Sequence, residues 1–152
     1  MNTQNLTVGC YVRNRKDNTV WFVANVLSNG KPDLFRYGQK YQNIPTVETF
    51  SADYEPVPQD AIRYDMDQDV NYYCPIRGER VYYKFTELIE GENRKRGANT
   101  QGYALCTVDN VYWKAGRLRF DIVCTYGEGG KYQDIVCGTT VNELRPAIIT
   151  IA

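Results

Sequence analysis

The chain contains no histidine, so the commonest general base and the commonest metal ligand are both missing. It has no surplus of either charge: 18 basic and 18 acidic side chains cancel, which leaves no global field to hold a polyanion by counterion release. No run of about 18 apolar residues occurs, and Met1-Asn2-Thr3-Gln4-Asn5 offers neither a basic region nor an apolar core. A membrane-spanning helix and a secretory leader are therefore not expected, and the chain is assigned to a cytoplasm. The five cysteines, Cys10, Cys74, Cys106, Cys124 and Cys137, lie too far apart in sequence for a metal knuckle or a redox pair, and their odd number argues against a disulfide framework. Cys106 and Cys124 fall on the apolar phase of strands, where a reduced thiol packs as a small hydrophobe, so all five are expected to be reduced and free of metal. No carboxylate pair, glycine-rich phosphate loop or nucleophile motif stands in a supporting context. No cofactor, no metal site and no catalytic residue is expected, and the chain is read as a non-enzyme.

What is present is alternation. Ala104, Cys106 and Val108 alternate with Tyr103, Leu105 and Thr107, and Leu118, Phe120, Ile122 and Cys124 alternate with Arg117, Arg119, Asp121 and Val123. Asp109-Asn110 and Lys114-Ala115-Gly116 supply turn chemistry between these strands, and Gly127 to Gly130 closes the second before Tyr132 to Cys137 opens a third. Thr140 and Glu143 suit a short capped helical turn that Pro146 ends, and Ile148 to Ile151 finishes as a strand. Upstream, Val8 to Val12, Trp21 to Leu27, Leu34 to Tyr37, Val47 to Phe50 and Ala61 to Tyr64 read as five strands of a shortened copy. Trp21 is set against Tyr103, Phe22, Ala24 and Val26 against Ala104, Cys106 and Val108, Cys10 to Asn14 against Arg80 to Lys84, and Ser51 to Pro56 against Val141 to Pro146.

Residues 6–65 are accordingly expected to form a first small β-barrel and 77–152 a second, joined by a connector at 66–76 and packed together because domains near 60 residues bury too little surface alone. The second copy carries a long loop at 86–102 with charges of both signs, a composition that resists packing. Asp65, Asp67 and Asp69 stand at alternate positions where the first barrel meets the connector, but a calcium loop is rejected because its sixth-position glycine and twelfth-position acid are missing.

Thr125-Tyr126-Gly127-Glu128 and Arg36-Tyr37-Gly38-Gln39, with the endings Leu144-Arg145-Pro146 and Tyr54-Glu55-Pro56, resemble the turn and closing helical segment of Tudor-type barrels, members of the Src-homology-3-like group. The fold class expected is thus all-β, two tandem five-stranded barrels of this type. The resemblance implies a binding module in which exposed loop aromatics surround a cationic side chain by cation–π attraction. The residues it nominates are Tyr37 and Tyr41 in the first copy and Tyr126 and Tyr132 in the second, with Trp21 and Trp113 as neighbouring platforms.

Two functions compete. The neutral charge, the tyrosine-rich strands and an apolar terminus at 147–152 that could add to a sheet edge favour a protein partner. A nucleic-acid partner would use Arg94, Lys95 and Arg96 with Lys114, Arg117 and Arg119. Residues 71–152 hold 11 basic against 9 acidic side chains, a surplus of only two, so the protein partner is preferred. A phage or mobile-element factor acting on host machinery is the setting envisaged.

Overall fold

The computed structural model describes residues 8–39, 41–65, 67–85, 102–126 and 131–152. These are mostly strand: β1 (Tyr11–Asn14), β2 (Val20–Val26), β3 (Pro32–Phe35), β4 (Tyr54–Pro56), β5 (Ile62–Asp65), β6 (Gln68–Asp69), β7 (Arg80–Phe85), β8 (Gly102–Lys114), β9 (Arg117–Tyr126), β10 (Tyr132–Thr139), β11 (Leu144–Pro146) and β12 (Thr150–Ile151). The single α-helix among the described residues is α1 (Val47–Asp53). The chain divides into two compact units, one of Met1–Pro58 with Phe85–Tyr103 and one of Gln59–Lys84 with Ala104–Ala152.

The first unit holds an antiparallel sheet in the order β3-β2-β1-β4. Alternation sends Val12, Val23 and Leu34 to one face, where they meet Phe50 and Tyr54 and are flanked by Cys10 and Trp21. Burial of each large side chain in such a core is worth about 1.5–3 kcal/mol. β2 is covered on its second face as well. There Phe22 packs between Tyr11, at a tilt, and Tyr103, edge to face, with ring centroids 5.0 and 4.9 Å apart. Gly9, at φ +95°, lies under the Tyr103 ring, and a Cβ in its place would stand 2.6 Å from the phenol oxygen. Only glycine satisfies both the turn and the ring.

Val47 to Phe50, expected as a strand, is instead the start of α1. The Thr46 hydroxyl accepts the Thr49 amide at 3.1 Å, Glu48 sits in the first turn where the helix dipole favours an acid, and Phe50 fills the core. The β-branched run of Val47 and Thr49 prefers a strand only weakly, and a cap plus one buried aromatic outweighs it.

The second unit holds two sheets, β10-β9-β8-β7-β11 and β12-β5-β6. Its core is Val81, Cys106, Val108, Phe120, Ile122, Cys124 and Leu144 with Tyr73, and Tyr64 packs against it. β5 was expected to close the first barrel; it pairs with β12 and β6, Ile62 opposite Ile151 and Arg63 opposite Asp69. Asp109-Asn110 makes no turn. Val108 faces Ile122 and Asn110 faces Asp121, so Asp109 is the extra residue of a β-bulge and β8 runs on to Lys114. The reversal comes at Ala115 and Gly116, with φ of 54° and 77° between the paired Lys114 and Arg117, the signature of a two-residue type I′ turn.

The expectation of five reduced cysteines is also overturned. Cys106 and Cys124 are joined by a disulfide across β8 and β9, their Cα atoms 4.4 Å apart, while Cys10, Cys74 and Cys137 remain thiols. Two apolar-phase residues of neighbouring strands become direct partners once the register pairs them. Spacing along the chain carries no trace of that.

The same pattern of bonds recurs in both units. Gly9 and Val23 are joined by Gly9 N–H to Val23 O and Val23 N–H to Cys10 O; Gly78, Glu79 and Val108 repeat both bonds, all four at 2.8–2.9 Å. Val23 faces Leu34 before a bulge that brings Asn25 opposite Asp33, as Val108 faces Ile122 before Asn110 meets Asp121. In both bulges the asparagine Oδ1 accepts the next amide, that of Val26 at 2.8 Å and that of Val111 at 3.1 Å. Pro56 lies opposite Val12 and Pro146 opposite Val81. Val23 thus corresponds to Val108 and Trp21 to Cys106, not to Tyr103, and Cys10 corresponds to Glu79, not to Arg80. The sequence pairing was displaced by three residues in one strand and by one in another, and an odd displacement exchanges the two faces. The pairing of Ser51 to Pro56 with Val141 to Pro146 agrees with the registers.

Candidate binding surfaces

Trp21 is half-buried against the first core. Its indole N–H donates to Thr19 Oγ1 at 2.8 Å; the Thr19 hydroxyl and amide donate to Asp17 Oδ1 at 2.6 and 3.0 Å, and these two bonds hold the Asp17 carboxyl below its ordinary pKa. The Arg36 guanidinium carbon lies 6.0 Å from the Trp21 ring centre, so a cation of the same unit already occupies that face. Tyr37 and Tyr41, on the segment after β3, are 44% and 72% exposed.

In the second unit Tyr126 ends β9 directly opposite Tyr132 at the start of β10, and the Lys131 ammonium stands 5.4 Å from the Tyr132 ring centre. Trp113 is 73% exposed at the other end of the same hairpin, opposite Leu118. From Leu118 to Tyr126 the strand extends for roughly 25 Å at the usual rise per residue. The register therefore brings Tyr126 and Tyr132 together and keeps Trp113 apart from them. Trp113 has instead Lys114 and Arg117 beside it, both exposed at the type I′ turn.

Arg119 does not belong to that exposed set. It is half-buried, donates to the Gly138 carbonyl at 3.0 Å, and faces Tyr112 across the strand pair. Tyr112 Oη and the Gly138 amide both donate to Asp121 Oδ1, at 2.8 and 2.9 Å, which fastens β10 to β9 at the Gly138 bulge. The bond to Asp121 raises the Tyr112 pKa. Arg94, Lys95 and Arg96 lie outside the described residues.

Sequence reasoning missed a cavity of about 250 Å³ in the second unit, lined by Tyr64, Asp65, Tyr73, Glu79, Arg80 and Pro146 to Ile148. The two rings meet edge to face, 4.9 Å between centroids. Tyr73 Oη donates to Glu79 Oε2 at 2.9 Å, Tyr64 Oη donates to the Tyr72 carbonyl at 3.2 Å and also meets Gln68 Oε1, and Arg80 donates to Thr107 Oγ1 at 2.6 Å. Burial raises the Glu79 pKa, the Tyr73 bond partly opposes this, and the charge of Asp65 adds to it. Tyrosine rings and the carboxyls of Asp65 and Glu79 line the cavity together with the Arg80 guanidinium, a mixed setting that still holds more acid than base. Its walls come from β5, from the segment after it, from the entry to β7 and from the stretch after β11, so no single window of sequence displays it. The one hint was the paired Asp65 and Tyr64. Of the alternating acids, Asp69 is committed locally: it accepts the Asn71 amide at 2.9 Å and pairs with Arg63 at 3.6 Å.

Among the described residues no group of three or more cysteine, aspartate or glutamate side chains is placed to hold a metal ion, and no helix is long and apolar enough to cross a membrane. Comparison with known proteins returns no matching family, no similar curated protein and no similar solved structure.

Proposed function

We propose that this chain is a non-catalytic binding protein, built from two Tudor-like, Src-homology-3-like barrels in tandem, that holds a protein partner through exposed aromatic surfaces. The observation that carries this is the division among its aromatics. Tyr11, Phe22, Phe50, Tyr54, Tyr82 and Tyr103 are buried, whereas Tyr37, Tyr41, Trp113 and Tyr132 stand 44–73% exposed at turns and strand ends. Large rings left in water at the tips of both units are what a partner's contact surface recruits. The matched bulges and the matched proline-ended strands support a tandem arrangement. The ring-and-carboxylate cavity gives a basic side chain of the partner somewhere to go. A cytoplasmic factor of a phage or mobile element, acting on host machinery, suits a protein with these surfaces and no catalytic group in view.

A nucleic-acid partner is the second reading, and Trp113 between Lys114 and Arg117 is the feature that favours it. With Arg119 half-buried and bonded to the Gly138 carbonyl, the exposed basic set at that tip is too small for the roughly six phosphate contacts of strong polyanion binding. Capture of partners from bacterial lysate by the wild type, Tyr37→Ala, Trp113→Ala and a Lys114→Gln/Arg117→Gln double variant, each at two salt concentrations, separates the readings. A protein band that weakens with Tyr37→Ala and tolerates salt supports the first. Retention of nucleic acid that collapses with salt and with the double variant supports the second, and capture of ribosomal background alone would reject both.

A further inference from the structure

We infer that β10 is the joint of a two-fold dimer, in which the five-stranded sheet of one chain continues into that of a second copy. The starting point is the ends of the sheets. β3, β4, β6, β11 and β12, which end the three sheets elsewhere, are two to four residues long, and β4 and β11 each finish in proline. Short or proline-ended edges resist pairing with another chain. β10 is different: eight residues, no proline, no lysine, and Ile135 62% exposed.

Its backbone polarity can be read from the disulfide. Antiparallel partners whose Cα atoms are about 4.5 Å apart exchange no hydrogen bonds, and Cys106 and Cys124 stand 4.4 Å apart. The N–H and C=O of Cys124 therefore turn away from β8 and toward β10, where Asp134 is its partner. Alternation then aims the N–H and C=O groups of Gln133 and Ile135 outward, at the open edge. The side chains of Gln133, Ile135 and Cys137 are exposed, as is that of Tyr132 at the start of the strand.

A second copy is placed on this edge as follows. Placing Ile135 on the two-fold axis pairs it with itself and sets Gln133 opposite Cys137 of the second copy and Asp134 opposite Val136 of the second copy. A two-fold at Asp134 would instead set carboxylate against carboxylate, which is unfavourable. Isologous closure of this kind needs no second patch. The zero net charge of the chain leaves no long-range repulsion between copies.

Analytical ultracentrifugation of the full chain, from micromolar to sub-millimolar concentration, should show a monomer–dimer equilibrium. Ile135→Lys should weaken association by at least about tenfold with an unchanged melting temperature, while Ile148→Lys, a substitution at another exposed isoleucine, leaves it intact. The register has its own readout. In a Cys74→Ser background, Gln133→Cys should form an intermolecular disulfide with Cys137 of the second copy, since hydrogen-bonded partners lie about 5.5 Å apart; further replacement by Cys137→Ser should abolish that dimer. A wild-type chain that stays monomeric across the range overturns the inference, and would leave the edge to an extended segment of another protein. A dimer that survives Ile135→Lys overturns it equally.

Discussion

The pair Trp21 and Arg36 in the first unit stands where Cys106 and Cys124 stand in the second. Phe22 faces Phe35 and Val23 faces Leu34, so the next pair outward in that register is Trp21 with Arg36; in the second unit Thr107 faces Val123 and Val108 faces Ile122, and the next pair outward is the disulfide-bonded Cys106 and Cys124. One position in a shared strand arrangement is closed by a ring under a guanidinium in one unit and by a covalent bond in the other. The neighbourhoods differ to match. In the second unit β10 pairs with β9 from Tyr132 to Thr139, whereas among the described residues of the first unit a single bridge, Leu34 to Asn43, stands at that place. The first unit compensates with α1, seven residues long and anchored by Phe50, where the second has a three-residue 3-10 turn, Val141–Glu143. The core strands and their bulges are held in common, and the means of closing the edge vary.

The largest effects should come from the shared core. Leu34 and Ile122 are equivalent and fully buried. Leu34→Ala and Ile122→Ala should each cost about 2–5 kcal/mol in urea unfolding, and a pair of values differing widely would break the equivalence of the two cores. Next comes the disulfide. Reductant should lower the stability of the chain by about 2–4 kcal/mol, as expected for a bridge closing a short loop, and thiol titration of the denatured, unreduced protein should find Cys10, Cys74 and Cys137 only. Five reactive thiols, with a melting temperature indifferent to reductant, would restore the reduced state and leave Cys106 and Cys124 as plain core residues. In a reducing cytoplasm the same pair would be held as thiols, and the second unit would rest on packing alone.

A smaller effect is expected at the β8–β9 turn. Ala115 sits at φ 54°, a conformation asparagine tolerates better, so Ala115→Asn should stabilise by about 0.5–1 kcal/mol. A loss of stability would mean that the turn is not of the type its dihedrals describe. The smallest concerns Glu79, which occupies the position of Cys10. Its folded pKa is raised by burial, so its contribution to stability is most favourable at acid pH and is lost as pH rises through the raised value. Glu79→Gln should therefore be slightly more stable than the wild type at neutral pH, with the difference vanishing below the ordinary glutamate range. The opposite sign at neutral pH would show that a charged Glu79 is held by an attraction stronger than the Tyr73 bond.

The sequence by itself determined the all-β class and the phase of each long strand: Cys106, Val108, Phe120, Ile122 and Cys124 face one core because alternation fixes which side chains share a face. It also displayed the helical turn before Leu144 through its proline stop, whereas the first half of the helix before Tyr54 reads as a strand. Only the tertiary structure decided which strand lies beside which. A bulge at Ala24 or Asp109 costs one residue of register and leaves no mark in composition, so the correspondence between the halves could be read only from backbone hydrogen bonds. For the same reason the bond between Cys106 and Cys124, the placement of β5 beside β12, and the cavity under Tyr64 and Tyr73 were not legible. Each joins residues far apart along the chain, and such meetings are set by pairing and packing, which local periodicity does not encode.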